Sequence, residues 1–114
     1  MENCIFCKII NKEISSKIVY EDDNVVAFYD INPVAPVHVL VVPKQHIASM
    51  NEINESNSQI IAHVHVAARK IAEQLGIAEK GYRLINNCGP DAGQTVMHLH
   101  YHLIGGVSLG PKII

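Results

Sequence analysis

Met97-His98-Leu99-His100-Tyr101-His102-Leu103 places an imidazole at every second position, with an apolar or aromatic side chain between each pair. In an extended strand, successive side chains point to opposite faces. The alternation predicts a strand over 97–103. His98, His100 and His102 then share one face, and Met97, Leu99, Tyr101 and Leu103 share the other. Neighbouring imidazoles stand about 6.6–6.8 Å apart along such a strand. At that pitch they can meet one phosphate-sized group, with one ring attacking and its neighbours hydrogen-bonding. A helix would scatter the same rings around its circumference. Two plainer uses fit the pattern: a solvent-facing row of histidines, and a structural metal site.

Working outward, residues 4–10 predict a short helical turn with Ile5, Ile9 and Phe6 turned inward. Residues 17–21 and 24–29 read as two strands across a tight turn at Asp22-Asp23. Asn32-Pro33 and Ala35-Pro36 mark a loop. Residues 37–42 are strongly strand-forming and end at Pro43. A long helix is expected from about Asn57 to Leu75, where Ile61, Val64, Ala68, Ile71, Ala72 and Leu75 recur at helical spacing before Gly76. Residues 82–86 form a further strand. A glycine-bearing loop, Asn87 to Thr95, then feeds the histidine stretch, which Gly105-Gly106 ends. Strands in hairpin-like order around one long helix indicate an α+β fold: an antiparallel sheet of about five strands with helical cover.

The 114 residues suit one domain, with no repeat or linker. Hydrophobic residues make up 48% of the chain, yet no apolar run approaches the roughly 20 residues a bilayer span needs. A formal charge of −2 argues against broad nucleic-acid binding. It leaves room for a small anion at a local site. Met1-Glu2-Asn3-Cys4 has neither the basic nor the apolar segment of a secretory leader. With three cysteines, Cys4, Cys7 and Cys88, the expectation is a reducing, cytoplasmic setting. His63 and His65, two apart on the long helix, face different ways and read as structural or surface residues.

The Asn87–Thr95 loop offers small residues, backbone N–H groups, an amide and a hydroxyl, which suits close approach to phosphate oxygens. It is no Walker loop, because no Gly-Lys-Ser/Thr follows and a strand comes next. His98-Leu99-His100-Tyr101-His102-Leu103-Ile104 fits the pattern His-x-His-x-His-x-x with apolar x. In this the chain resembles the histidine triad (HIT) family of nucleotide hydrolases and transferases. Cys4–Ile10, Glu21-Asp22-Asp23, Phe28-Tyr29-Asp30-Ile31, Ala35-Pro36-Val37-His38, Pro43-Lys44-Gln45-His46-Ile47 and Gly93-Gln94-Thr95-Val96 are similar, in the same order, to its Hint branch of purine nucleoside phosphoramidases. The resemblance spans roughly residues 4–106, and implies one HIT domain over 1–114 that pairs as a homodimer with a continuous sheet.

The resemblance implies that His100 attacks the α-phosphorus of a purine nucleoside phosphoramidate, giving a nucleotidyl-histidine that water cleaves. An imidazole with the ordinary pKa of ~6.5 is largely neutral at pH 7, hence nucleophilic without a strong base. His102 is expected to hydrogen-bond the phosphate or leaving group, and His38 to support His100. Thr95, Gln94 and N–H groups near Gly93 would hold phosphoryl oxygens, where one such donor is typically worth ~2.7–4 kcal/mol. The nucleoside pocket would use Phe6, Ile9, Phe28, Tyr29 and Ile31, with Asp30 on the ribose hydroxyls and Asn87 as a site amide. For Phe28 and Ile31 a core role is the alternative. Cys4-x-x-Cys7 alone says little, but zinc wants four N/S ligands. His46 and His98 are the candidate partners, as in relatives whose cysteine pair holds structural zinc. No organic cofactor is implied. Alternatives are a dinucleoside polyphosphate hydrolase, a metal-dependent hydrolase with all three triad histidines on an open zinc site, and a nucleotide-binding module without turnover.

Overall fold

The computed structural model describes residues 3–114. In chain order the elements are α1 (Ile5–Ile10), β1 (Ile18–Glu21), β2 (Val25–Tyr29), β3 (Val37–Pro43), α2 (Gln59–Gln74), β4 (Tyr82–Ile85) and β5 (Tyr101–Gly105). The strands form one sheet in the order β1-β2-β3-β5-β4, with every neighbouring pair antiparallel. The fold is therefore α+β with a five-stranded antiparallel sheet. The histidine stretch leads straight into β5, and β5 pairs with both β3 and β4.

Each face of the sheet has its own core. On one, Val25, Ala27, Val39, Val41, Leu99, Tyr101 and Leu103 pack under α2, which supplies Val64, Ala67, Ala68, Ile71 and Ala72. On the other, Val26, Phe28, Leu40 and Val42 pack against Phe6 and Ile9 of α1. A fully buried side chain such as Leu99 costs roughly 2–5 kcal/mol when truncated to alanine. The β1–β2 turn is tied by Asp22, whose Oδ1 accepts from the Asn24 and Val25 N–H groups, both at 2.8 Å. The Tyr20 hydroxyl donates to its other oxygen. Burial opposes charge on Asp22, but these bonds outweigh it and hold the carboxyl below its ordinary range. α2 ends at Gly76 in the left-handed region (φ 74°). There the Gly76 N–H reaches Glu73 O and the Ile77 N–H reaches Ala72 O, a Schellman closure that fits the expected glycine stop.

Three expectations need correction. Regular strand pairing in the histidine stretch begins only at Tyr101, so the predicted strand over 97–103 starts four residues late. Pairing with β3 stops where Pro43 lacks an N–H and its carbonyl lies 2.8 Å from His98 Nε2. The Leu99 N–H goes instead to Ile47 O. The alternation of faces nevertheless persists, with Leu99, Tyr101 and Leu103 in the α2 core and the imidazoles opposite. Met97 does not join them and is 51% exposed. Ile5, expected inside, is 46% exposed, while Phe6 and Ile9 fill the interior face of α1.

Candidate active site and metal centre

The N-terminal Cys-x-x-Cys is the start of α1. Cys4 is its N-cap, and its sulfur accepts from the Cys7 N–H at 3.4 Å. One helical turn thus turns both sulfurs toward the sheet. Cys4 Sγ lies 3.4 Å and Cys7 Sγ 3.6 Å from His98 Nδ1. His46, from the loop after β3, brings its Nδ1 to 3.3 Å from Cys7 Sγ and 3.1 Å from His98 Nδ1. All four donor atoms lie within 4.8 Å of one another.

This set fits a tetrahedral thiophilic ion such as zinc. Metal–ligand bonds of 2.0–2.3 Å put tetrahedral donors roughly 3.3–3.8 Å apart. His98 Nε2 must donate to the Pro43 carbonyl, which leaves Nδ1 bare and aimed at the sulfurs; an outer hydrogen bond of this kind is what a metal-ligating histidine uses. Burial lowers the pKa of His98, as do the neighbouring His46 and His100, so its ring stays neutral, the form a metal binds. Burial and the hydrogen bond with Cys4 push the Cys7 thiol up to about 11. A metal would displace that proton.

A second cluster lies beyond His100. His38 Nδ1 accepts the Val34 N–H at 3.1 Å, so the proton of the neutral ring sits on Nε2. That Nε2 is 2.9 Å from His102 Nδ1 and 3.4 Å from Asp30 Oδ2. His102 Nδ1 is then the acceptor, and His102 Nε2–H is free to donate. Burial lowers the pKa of His102, helped by His100 and His38 and opposed by Asp30. Asp30, His38 and His102 are close enough to be read as metal donors. The tautomer of His38 argues otherwise, because its inward nitrogen carries a hydrogen.

His100 stands between the two clusters. Its Nδ1 donates to the His98 carbonyl at 2.7 Å, which leaves Nε2 with its lone pair. Its ring centroid is 5.3 Å from that of His102 and 5.0 Å from that of Phe6, whose ring meets it edge-on. The open zinc site of all three triad histidines is not what the fold builds. His98 turns to the cysteines, while His102 turns to His38 and Asp30.

The remaining expected residues divide. Tyr29, Asp30, Ile31 and His38 line a cleft of about 900 Å³, with Lys17 and Pro36 also on its wall. Phe6, Ile9 and Phe28 lie instead in the core beneath the histidines, because α1 crosses that face of the sheet. Ile31 is 90% exposed at the cleft, so a core role for it fails. Thr95 is exposed beside Cys4, Ile5 and His46 in a smaller cleft of about 490 Å³. Gly93 and Gln94 spend their donors on backbone carbonyls. The Gly93 N–H reaches Pro90 O and the Gln94 N–H reaches Gly89 O. The Gln94 amide donates to Ala48 O and Val96 O and accepts from the Gly89 N–H. Gln94 thus shapes the loop, and in this conformation neither N–H is offered to a phosphate. Asn87 is half-buried, but its neighbour Asn86 is the amide that holds the histidine stretch, donating to His100 O at 3.0 Å. Ile85 pairs with His102, so continued register would set Asn86 opposite Tyr101 and Asn87 opposite His100; only the side-chain hydrogen bond singles out Asn86.

Known proteins match this arrangement closely. The family model described as HIT domain fits residues 11–109. The purine nucleoside phosphoramidase of Escherichia coli is 50% identical over 98% of this chain and 94% of its own. A HIT family hydrolase from Clostridium thermocellum superposes with a TM-score of 0.98 at 68% identity, covering 100% of this chain and 99% of that one. A histidine triad protein from Clostridium difficile gives 0.95 at 53% identity, over 98% and 97% of the two chains. With a family model matching residues 11–109 and relatives at least 50% identical along nearly its whole length, the chain belongs to the HIT family, as one of its enzymes.

Proposed function

We propose that this HIT enzyme cleaves purine nucleoside phosphoramidates at the α-phosphorus through a nucleotidyl-His100 intermediate. The observation that carries the reading is the 2.7 Å hydrogen bond from His100 Nδ1 to the His98 carbonyl, which frees Nε2 as the nucleophile. His100 Nε2 forms the new P–N bond as the bond from phosphorus to the leaving amine breaks. His102 Nε2–H, aligned by Val34, His38 and Asp30, donates to the leaving amine or a phosphoryl oxygen. Water then attacks phosphorus, and the P–N bond to His100 breaks to return the ring and release the nucleoside monophosphate.

In this reading Asp30 accepts from the ribose hydroxyls and Tyr29 and Ile31 flank the nucleoside in the 900 Å³ cleft. Phe6, Ile9 and Phe28 form the floor beneath. Thr95 and Asn87 are the remaining polar groups offered to the phosphate. Zinc, when bound by Cys4, Cys7, His46 and His98, supplies a structural cross-link between α1 and the sheet with no open position. β4 is one of the sheet's two outer strands, with one edge unpaired among the described residues. A homodimer joined along that edge would extend the sheet across two copies. No helix among the described residues is long and apolar enough to cross a membrane. Three free cysteines support work in a reducing cytoplasm.

The test is a comparison of adenosine and guanosine 5′-phosphoramidates with diadenosine polyphosphates, with an acid-quenched digest of the working enzyme. A nucleotidyl group on the peptide containing His100 supports the proposal. Turnover of none of these substrates, or binding without an adduct, would defeat it.

A further inference from the structure

We infer that the Cys4–Cys7–His46–His98 tetrad positions the nucleophile, with His98 as the positioning residue that sets the tautomer of His100. The peptide joining His98 to Leu99 is the link. Its carbonyl accepts the His100 Nδ1 hydrogen at 2.7 Å, and its N–H donates to Ile47 O at 2.6 Å. One end of that peptide carries the ring of His98, which is fully buried against both sulfurs and Pro43 O. The acceptor at the other end is the residue next to His46. Two metal-type ligands therefore flank the two hydrogen bonds that fix a single peptide plane.

Ladder pairing begins at Tyr101, so the His98–Leu99 peptide lies outside the strand, and these two hydrogen bonds rather than the ladder hold its orientation. A second route runs through α1. Phe6 lies between Cys4 and Cys7 in sequence and sets its ring edge-on to His100, with centroids 5.0 Å apart, and to His98, 6.0 Å apart. If the tetrad opens, the peptide can turn and the His98 carbonyl leaves His100. A neutral imidazole follows the hydrogen bond its other nitrogen makes. The proton then redistributes to Nε2, the atom that must stay bare to attack.

The test compares zinc-loaded wild type, chelated wild type and His46→Gln, the last removing a half-buried ligand while leaving His98 and Phe6. Long-range ¹H–¹⁵N spectra of the histidine rings read the His100 tautomer without substrate. The expected result is one Nδ1–H form with zinc, and a mixture in the chelated protein and in His46→Gln. The kinetic arm rests on the phosphoramidase reading. There kcat should fall about 10–100-fold with KM almost unchanged, as for a lost outer-shell support. A folded, metal-free protein that keeps His100 wholly Nδ1–H would overturn the inference, as would failure of cobalt(II) to give a tetrahedral thiolate spectrum. Should metal-free wild type unfold, zinc is titrated onto Cys4→Ala, and the tautomer must track occupancy; a tautomer constant throughout overturns the idea. Absence of turnover with the tautomer shift intact counts against the phosphoramidase reading alone and supports the coupling.

Discussion

Two clusters built from similar side chains flank His100, and the backbone decides what each is for. In the tetrad, His98 gives its Nε2 hydrogen to Pro43 O and turns a bare Nδ1 on two thiols. In the relay, His38 takes a hydrogen from Val34 on Nδ1 and turns Nε2–H toward His102. A ring nitrogen with a lone pair beside sulfurs suits a metal. One with a hydrogen beside another imidazole passes a donor along a chain. Residue type alone does not distinguish the two, since both clusters bring donor atoms within 4.8 Å. The partner on the far side of the ring does.

The largest effect falls on the group both clusters serve. His100→Ala should lower phosphoramidate turnover by about 10³-fold or more with the fold unchanged, checked by steady-state kinetics beside circular dichroism. Retained turnover would leave neither cluster a nucleophile to serve. Next is the contrast itself. Zinc titration should give one equivalent per chain, lost in Cys7→Ser and kept in Asp30→Asn. A second equivalent that Asp30→Asn removes would break the distinction between the clusters. Metal at 1,000 times its Kd contributes ≈ 4 kcal/mol, so chelation should lower the thermal midpoint by roughly 15–20 °C.

How much of this was legible beforehand depended on range. The facing of Leu99, Tyr101 and Leu103 against α2 follows from alternation, a local property of side-chain direction. The glycine stop of α2 at Gly76 is equally local, because it rests on one residue's tolerance of positive φ. Where the β5 ladder starts was not legible, because the competing acceptors, Pro43 O and Ile47 O, belong to a distant stretch of chain. α1, at six residues, is too short for periodicity to separate Ile5 from Phe6. Gln94 read as a ligand because an amide in a glycine-bearing loop suits phosphate. Gly93, at φ 81°, turns the loop so that Gln94 closes on it instead. For the site, resemblance offered Cys4, Cys7, His46 and His98 as one set, but gave Asp30, His38 and His102 separate roles rather than a shared cluster. The tautomers that separate their roles needed the positions of backbone groups.

A smaller effect sharpens the relay. His38→Ala removes the donor to His102 Nδ1 and frees that ring to turn, so kcat should drop about 10–100-fold, the usual scale for losing a group that orients another. Asp30→Asn, which keeps the shape, should act more on KM for the ribose substrate than on metal content. An equal loss in both variants, all of it in KM, would make the relay a binding wall instead.

The smallest effect is on stability against pH, and its sign tests whether the relay is held neutral. Burial first, then His100 and His38, lower the pKa of His102, with Asp30 opposing. In the unfolded chain a histidine titrates near ~6.5. Between that value and the lower folded one, the unfolded state binds more protons, so stability rises with pH. The contribution of His102 is therefore complete above about 6.5 and is lost as pH falls toward its folded pKa. Acid also strips metal from the tetrad, so the wild-type curve mixes two causes. Thermal midpoints of His102→Asn and wild type, both fully chelated, separate them: the variant should lose less between pH 7 and pH 5. Parallel curves would mean that His102 is not held neutral by its surroundings, and the donor chain from Val34 through His38 would lose its endpoint.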